Sequence, residues 1–364
     1  MTRALAFSSL ALAFGSFALT GCSSGSAVEG ATSEPSASTT SALDPMTLSI
    51  AFVGRLADEQ IAHFQSEVTK RSGGALTVQV DPDLAASSLT MEQRIVEAVA
   101  AGDLDLGVVG ARAFRELGIH DVDALVAPMA IDSMAAQEAV LASDLPDRML
   151  AGLEPHDLAG LAVIAGPLRR PVADRPLVSL EDFAAVPFHT FHGEVNAMTV
   201  AALGAKHVDA PAEERNAGIE AGGITAYENS LAFLAHTIDW PTKVQTVDIN
   251  LWPSVSVLIA DPTMLASLTE TKRAALVDAA NDTVDRAVEL LPDEAEVAAQ
   301  VCAADGRLAT AGPAALAEIE QALAPVHAEL RADPLVAGYL DEIETLTQAI
   351  PADSLPVPTG CAAA

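Results

Sequence analysis

Along the first third of the chain the apolar residues change period. Over residues 46–53 they alternate among β-forming types, which predicts a strand. Over residues 57–71, Ile61, Phe64 and Val68 recur on one helical face, and Gly73-Gly74 stops the run. Residues 75–80 then read as a strand, 90–101 as a helix opened by Thr90 and Glu92, and 104–109 as a buried strand. The β-α-β-α-β order predicts a twisted, largely parallel sheet, with ligand sites at the carboxyl ends of its strands. Beyond Pro176 a smaller unit of the same kind follows: a helix start at Ser179-Leu180-Glu181-Asp182, a strand over 186–191 and a helix over 195–203. A strand over 244–249 and an apolar run over 255–260 flank Trp252-Pro253, and the last third is mostly helical, with an amphipathic stretch over 269–305 broken at Pro292.

The amino terminus follows a different pattern. Arg3 heads an unbroken apolar run over residues 4–20, and Gly21-Cys22 follows it. This is the layout of a lipoprotein signal: residues 1–21 are expected to be a signal peptide, and Cys22 the acylated first residue of the mature chain. Residues 22–45 are mostly Ser, Thr, Ala, Gly and Glu with little that could pack, so a flexible stalk is expected. The protein is therefore expected outside the cytoplasm, lipid-anchored to the cell membrane. No later run approaches the ~20 apolar residues of a bilayer-spanning helix.

Charge narrows the partners. Nineteen Lys and Arg face 50 Asp and Glu, a formal net charge of -31, which excludes a nucleic-acid partner because such binding needs clustered cations. The roughly 320 residues after the stalk exceed the size at which one core stops growing, so two lobes are expected. Besides Cys22 the chain has Cys302 and Cys361. In an oxidising compartment they are expected to form a disulfide that closes a loop of about 60 residues and pins the tail, with two free thiols as the alternative.

The usual short enzymatic signatures are absent: there is no G-x-S-x-G elbow, Walker loop, H-E-x-x-H or mature C-x-x-C, and no cofactor is expected. His189, His192 and Glu194 lie within six residues. On a strand, positions three apart face opposite sides, so no metal site is assigned there.

Several blocks carry a resemblance to a known family. They are Gly102-Asp103-Leu104-Asp105-Leu106-Gly107 after Glu97-Ala98-Val99; Leu125-Val126-Ala127-Pro128; and an ordered series of Arg169, Ser179 to Phe183, Leu203-Gly204-Ala205 and Glu228-Asn229. A last block runs from Leu323-Ala324-Pro325-Val326 to Leu340. In order and spacing the chain resembles the extracytoplasmic solute-binding proteins of tripartite ATP-independent (TRAP) transporters, the DctP-like family. The resemblance implies an α/β, two-lobe periplasmic-binding-protein-like fold with a ligand cleft between lobes and long C-terminal helices. It implies no enzymatic activity, a small organic solute as ligand, carboxylate or neutral, and membrane permease subunits as partners. The expected divisions are 46–168 for lobe I, 169–250 for the core of lobe II, 251–350 for segments returning between lobes and long helices, and 351–364 for the tail. Ligand contacts are implied for Arg169, His189, Asn196, Glu228, Asn229 and Trp252.

One departure changes the chemistry. Where the family presents an arginine that clamps the ligand carboxylate, this chain has His189. An imidazole cannot form two parallel charged hydrogen bonds, and it is charged only in acid or beside an anion. The ligand is thus expected to be neutral, or a carboxylate held differently. The alternatives are a ligand-binding sensor subunit, an extracytoplasmic hydrolase or lyase using cleft carboxylates and His189, and a surface scaffold that binds nothing small.

Overall fold

The amino-terminal periodicities become packed faces. Ile61, Phe64 and Val68 lie buried on the helix Asp58–Arg71, in one core with Leu48, Ile50 and Leu106 of the sheet beneath. The computed structural model describes residues 45–52, 58–81, 88–234 and 243–363. The expected signal peptide, the expected acylation site Cys22 and nearly all of the expected stalk lie outside the described residues.

Twelve strands appear among the described residues: β1 (Met46–Phe52), β2 (Leu76–Val80), β3 (Leu106–Gly110), β4 (Ala159–Ile164), β5 (Leu168–Ala173), β6 (Pro187–His189), β7 (Lys206–Val208), β8 (Ala226–Asn229), β9 (Val244–Thr246), β10 (Trp252–Pro253), β11 (Ser256–Ala260) and β12 (Arg307–Ala309). They form two sheets. The first has the order β2-β1-β3-β11-β4, and the second β12-β9-β5-β8-β6-β7 with β10 added beside β5. In the first sheet β1, β2 and β3 run parallel, as their helical crossovers require. Strand β11 lies antiparallel between β3 and β4 because it arrives from the second sheet and not over a helix. Both faces of each sheet are covered by apolar clusters.

The chain passes between the sheets three times, through helices from β11 to β12 and directly, at two adjacent places, from β4 to β5 and from β10 to β11. There the Ser254 amide donates to the Pro167 carbonyl at 2.9 Å, and the Leu251 amide to the Arg169 carbonyl at 2.9 Å. Gly166 is required by this contact, since a Cβ would stand 1.9 Å from the Ser254 carbonyl oxygen. Gln137, fully buried, holds the same glycine by its amide and its carbonyl, at 2.9 Å each.

The strand expected over 186–191 ends at His189. Its parallel neighbours pair it only that far, and residues 190–193 turn toward the segment after β3 before the helix Glu194–Ala202 begins. The amphipathic stretch divides at Pro292 as expected, into Glu270–Arg286, capped by Thr269, and Glu294–Ala303, capped by Asp293. Two further helices, Pro313–Leu330 and Pro334–Thr347, complete the carboxyl-terminal part. Cys302 and Cys361 are joined, with Cα atoms 5.3 Å apart. Beside them Leu308 and Ala362 form a parallel bridge that carries the tail onto β12. Among the described residues no helix is long and apolar enough to cross a membrane.

Candidate functional site

Arg169 and Arg170 are consecutive on β5, so their side chains leave opposite faces of the second sheet. Arg170 points into the fold and Arg169 toward the site. Arg169 is 6 % exposed. Its Nε donates to the Glu228 carboxylate, its Nη2 to the Glu228 backbone oxygen at 3.0 Å, and its Nη1 to Asn229 Oδ1 at 3.2 Å. The antiparallel β5–β8 register, which sets Arg170 beside Asn229 and Pro171 beside Glu228, brings these residues together. Glu228 also accepts the Phe191 amide, at 3.2 Å on its other oxygen.

Phe191 is the centre of the arrangement. Its ring centroid lies 5.1 Å from the Arg169 guanidinium carbon and 4.4 Å from that of Arg112. Both cations are attracted by the ring's quadrupole. Arg112 belongs to the short 3-10 turn Ala111–Ala113 at the carboxyl end of β3, so the ring stands between residues carried by the two sheets. Glu92 accepts from Arg112 Nη2 and, at 2.7 Å, from the Gly110 amide. Gly110 makes room for this guanidinium, because a Cβ there would lie 2.2 Å from Arg112 Nη1.

The other residues expected at the site are placed as follows. Asn196, fully buried on the helix Glu194–Ala202, donates its Nδ2 to the Phe191 carbonyl at 3.3 Å, and its Oδ1 has no partner among the described residues. His189 directs Nε2 to the Ala210 carbonyl at 3.0 Å; because a carbonyl can only accept, that nitrogen carries the proton. Trp252 stands opposite Arg169 in the β10–β5 register and packs in one cluster with Leu251, Ile319 and Leu323. His192 bridges the two sides, with Nε2 2.8 Å from Glu116 and Nδ1 2.6 Å from Asp209. Among the described residues no group of three or more His, Cys, Asp or Glu is arranged to hold a metal ion.

Arg112, Glu92 and Phe191 were not expected at the site from sequence, where Glu92 was read only as part of a helix start. The available signal was positional: Ala111-Arg112 directly follows β3, a parallel neighbour of β1, where open α/β sheets place their ligand sites.

Burial pushes the pKa of His189 below its ordinary 6.5, against an opposing backbone hydrogen bond. Burial does the same to His207 and His327. The three rings therefore take up protons less readily in the folded chain than in the unfolded one. Where the unfolded state binds more protons, stability rises with pH, so these groups leave stability intact above about pH 7 and withdraw it as pH falls below 6.5. The melting temperature is expected to fall between pH 7.5 and pH 5.5, and a flat or rising profile would contradict this assignment.

A family model described as bacterial extracellular solute-binding protein, family 7 (DctP), matches residues 54–333. No curated protein sequence matches the chain. Among solved structures it is similar to a TRAP periplasmic solute-binding protein from Xanthobacter autotrophicus Py2 with bound β-D-galacturonate, at 21 % identity and a TM-score of 0.71, covering 82 % of this chain and 99 % of that one. A TRAP periplasmic solute-binding protein from Ralstonia eutropha H16 with bound (S)-2-acetolactate is 16 % identical, with a TM-score of 0.74 and coverage of 83 % and 98 %. An extracytoplasmic solute receptor from Bordetella pertussis that binds pyroglutamic acid is 15 % identical, with a TM-score of 0.72 and coverage of 81 % and 99 %.

Proposed function

Because this chain belongs to the bacterial extracellular solute-binding proteins of family 7, the DctP family, we propose that the ring of Phe191 and the polar groups around it form the pocket of a TRAP-type solute receptor. Such a protein captures a small organic solute outside the cytoplasm and delivers it to a membrane transporter. The observation that carries the reading is the convergence on Phe191 of groups attached to both sheets: Arg112 from the turn after β3 of the first, Arg169 and Glu228 from β5 and β8 of the second, and Asn196 from the helix Glu194–Ala202. A solute held there would touch both halves, so the closed form would be favoured by its differential contacts, and closure would present the permease with a changed surface. In this reading Arg169 and Arg112 supply donors, and Glu228 holds Arg169 and the Phe191 amide in place. Asn229 and Asn196 orient polar groups of the solute, His189 is a neutral neighbour, and Trp252 backs Arg169 from the core. The expected divisions at 46–168, 169–250, 251–350 and 351–364 are proposed to be the working parts of this machine.

The full-length chain, purified in mild detergent, is the object to test. Native mass spectrometry before and after unfolding is expected to show a single small molecule leaving the protein. An empty protein whose melting temperature no sugar, acid or amino acid shifts would sink the reading.

We also propose that the receptor is held at the membrane by acylation of Cys22. The mature chain is then expected to begin at Cys22 and to carry the added mass of fatty acyl chains, whereas Cys22→Ser is released in soluble form. A mature mass without acyl groups would remove the anchor.

A further inference from the structure

A solute carboxylate needs a cation with a hydrogen to spare. His189 is a poor candidate: burial lowers its pKa below 6.5, and its Nε2 proton goes to the Ala210 carbonyl. Arg169 carries the charge, but its Nε, Nη1 and Nη2 each already donate within the second sheet, so it offers a solute only the second hydrogens of its two terminal nitrogens. Arg112 is less committed. Its Nη2 donates to Glu92, while its Nε is buried and has no partner among the described residues. Glu92 accepts the Gly110 amide at 2.7 Å on its other oxygen, so this carboxylate is fixed by the backbone and in turn fixes the guanidinium. A buried N–H left without an acceptor is costly, and a carboxylate oxygen would satisfy it.

The same neighbourhood holds an acceptor in the same condition. Asn196 is fully buried, its Nδ2 faces the Phe191 carbonyl, and its Oδ1 is left without a partner among the described residues. Arg112 meets the ring of Phe191 and Asn196 meets its backbone, so both unpaired atoms belong to side chains that touch one residue. Gly193 lets the two segments lie close, since a Cβ there would stand 3.3 Å from that of Arg112. Arg112 Nε can only donate and Asn196 Oδ1 can only accept. An acid that also carries a hydroxyl or an N–H answers both.

We propose that Arg112 selects the charge of the solute, its Nε donating to a solute carboxylate while Asn196 Oδ1 accepts from a hydroxyl or N–H of the same molecule. The inference rests on reading the site as a solute pocket. The charged contact that His189 cannot make is thus supplied from the turn after β3, in the other sheet. A carboxylate held in this way joins Arg112 to the Arg169 side of the site, so recognition of charge favours the closed form directly.

The test uses the full-length chain and two pairs of probes, galacturonate with galactose and pyroglutamate with 2-pyrrolidinone, measured by calorimetry. Within each pair the carboxylate is the main difference, and both members carry a hydroxyl or an N–H. The unmodified chain is expected to bind at least one acid more tightly than its neutral counterpart. In Arg112→Gln that preference is expected to shrink about tenfold or more, the scale of one charge-assisted hydrogen bond. Arg112→Gln with Glu92→Gln removes both charges together and gives the same readout should the single variant, left with a buried Glu92 carboxylate, fold poorly. Asn196→Ala, whose contact is to a group that both members carry, is expected to weaken both alike. A role in folding alone would not change the preference for the acid. The assignment is overturned if the unmodified chain binds neither acid, if it prefers neither acid over its counterpart, or if the preference survives in both Arg112 variants. A neutral solute released from the native protein in mass spectrometry also overturns it, while leaving the receptor reading in place; an empty protein that binds none of the four probes counts against the receptor reading itself.

Discussion

Arg170→Ala is expected to cost about 3 kcal/mol of stability, a large share of what holds a protein of this size together. Arg170 is fully buried, and its two terminal nitrogens grip Glu294 at 2.7 and 2.8 Å in a bidentate pair. Its Nε reaches Asn250 Oδ1 at 2.6 Å. Asn250 in turn donates to the backbone oxygens of Asp132 and Asp353, at 2.7 and 2.9 Å. One side chain thus ties β5 to the start of the helix Glu294–Ala303, to the loop before Met134 and to the tail. Truncation leaves a cavity, an unsatisfied Asn250 and a carboxylate that has lost its cation. Because Glu294 keeps 24 % exposure and can draw on water, the low end of the usual 3–5 kcal/mol range is expected. Arg170→Lys recovers little, since an ammonium cannot reproduce the fork. Denaturant melts of Arg170→Met alone and with Glu294→Gln measure the coupling; additive effects would show that the pair is not the source of the loss.

Breaking the disulfide is the second large effect. The bond joins residues 59 apart in sequence, and in the chain-entropy account a closed loop of this length is worth about 4 kcal/mol, an upper figure for real proteins. Part of the tail's attachment survives without it. Asp353 still accepts from the Met134 amide at 2.8 Å, and the Leu308 amide still donates to the Cys361 carbonyl at 3.0 Å. A loss of about 2–4 kcal/mol is therefore expected for Cys302→Ser with Cys361→Ser, or on reduction. Urea unfolding with and without reductant checks it, and coincident midpoints would show that the tail is held by its hydrogen bonds alone. The two perturbations meet in the tail, so Arg170→Ala is expected to cost more in the reduced protein than in the oxidised one.

Much of the fold was legible because its signals are local. Ile61, Phe64 and Val68 mark a helical face whatever that face packs against, and Thr269 and Asp293 before their helices accept from backbone amides of the first turn that would otherwise go unpaired. The second sheet was less clear. Its strands β6, β7 and β9 have three residues each, too few for a period to stand out, and the expected strand ran on to Phe191 because the sequence contains no stop there. At the site, Arg169, Glu228 and Asn229 were found through their resemblance to family motifs. Arg112 and Glu92 belong to no such motif and come from the turn and the helix on either side of β3 in the other sheet.

By itself the sequence determined the order of strands and helices, the parallel start of the first sheet, the excess of acidic residues, and the cysteines available for pairing. These follow from the nearest-neighbour geometry of helices and strands and from simple counts. Only the tertiary structure decided that β11 enters the first sheet antiparallel, that Arg170 is a buried lock while Arg169 faces Phe191, and that each site guanidinium already has its carboxylate. The physical reason is sequence distance. Arg170 meets Glu294 across 124 positions and Arg169 meets Glu228 across 59, and such pairings are fixed by sheet register and lobe packing, which no local pattern encodes.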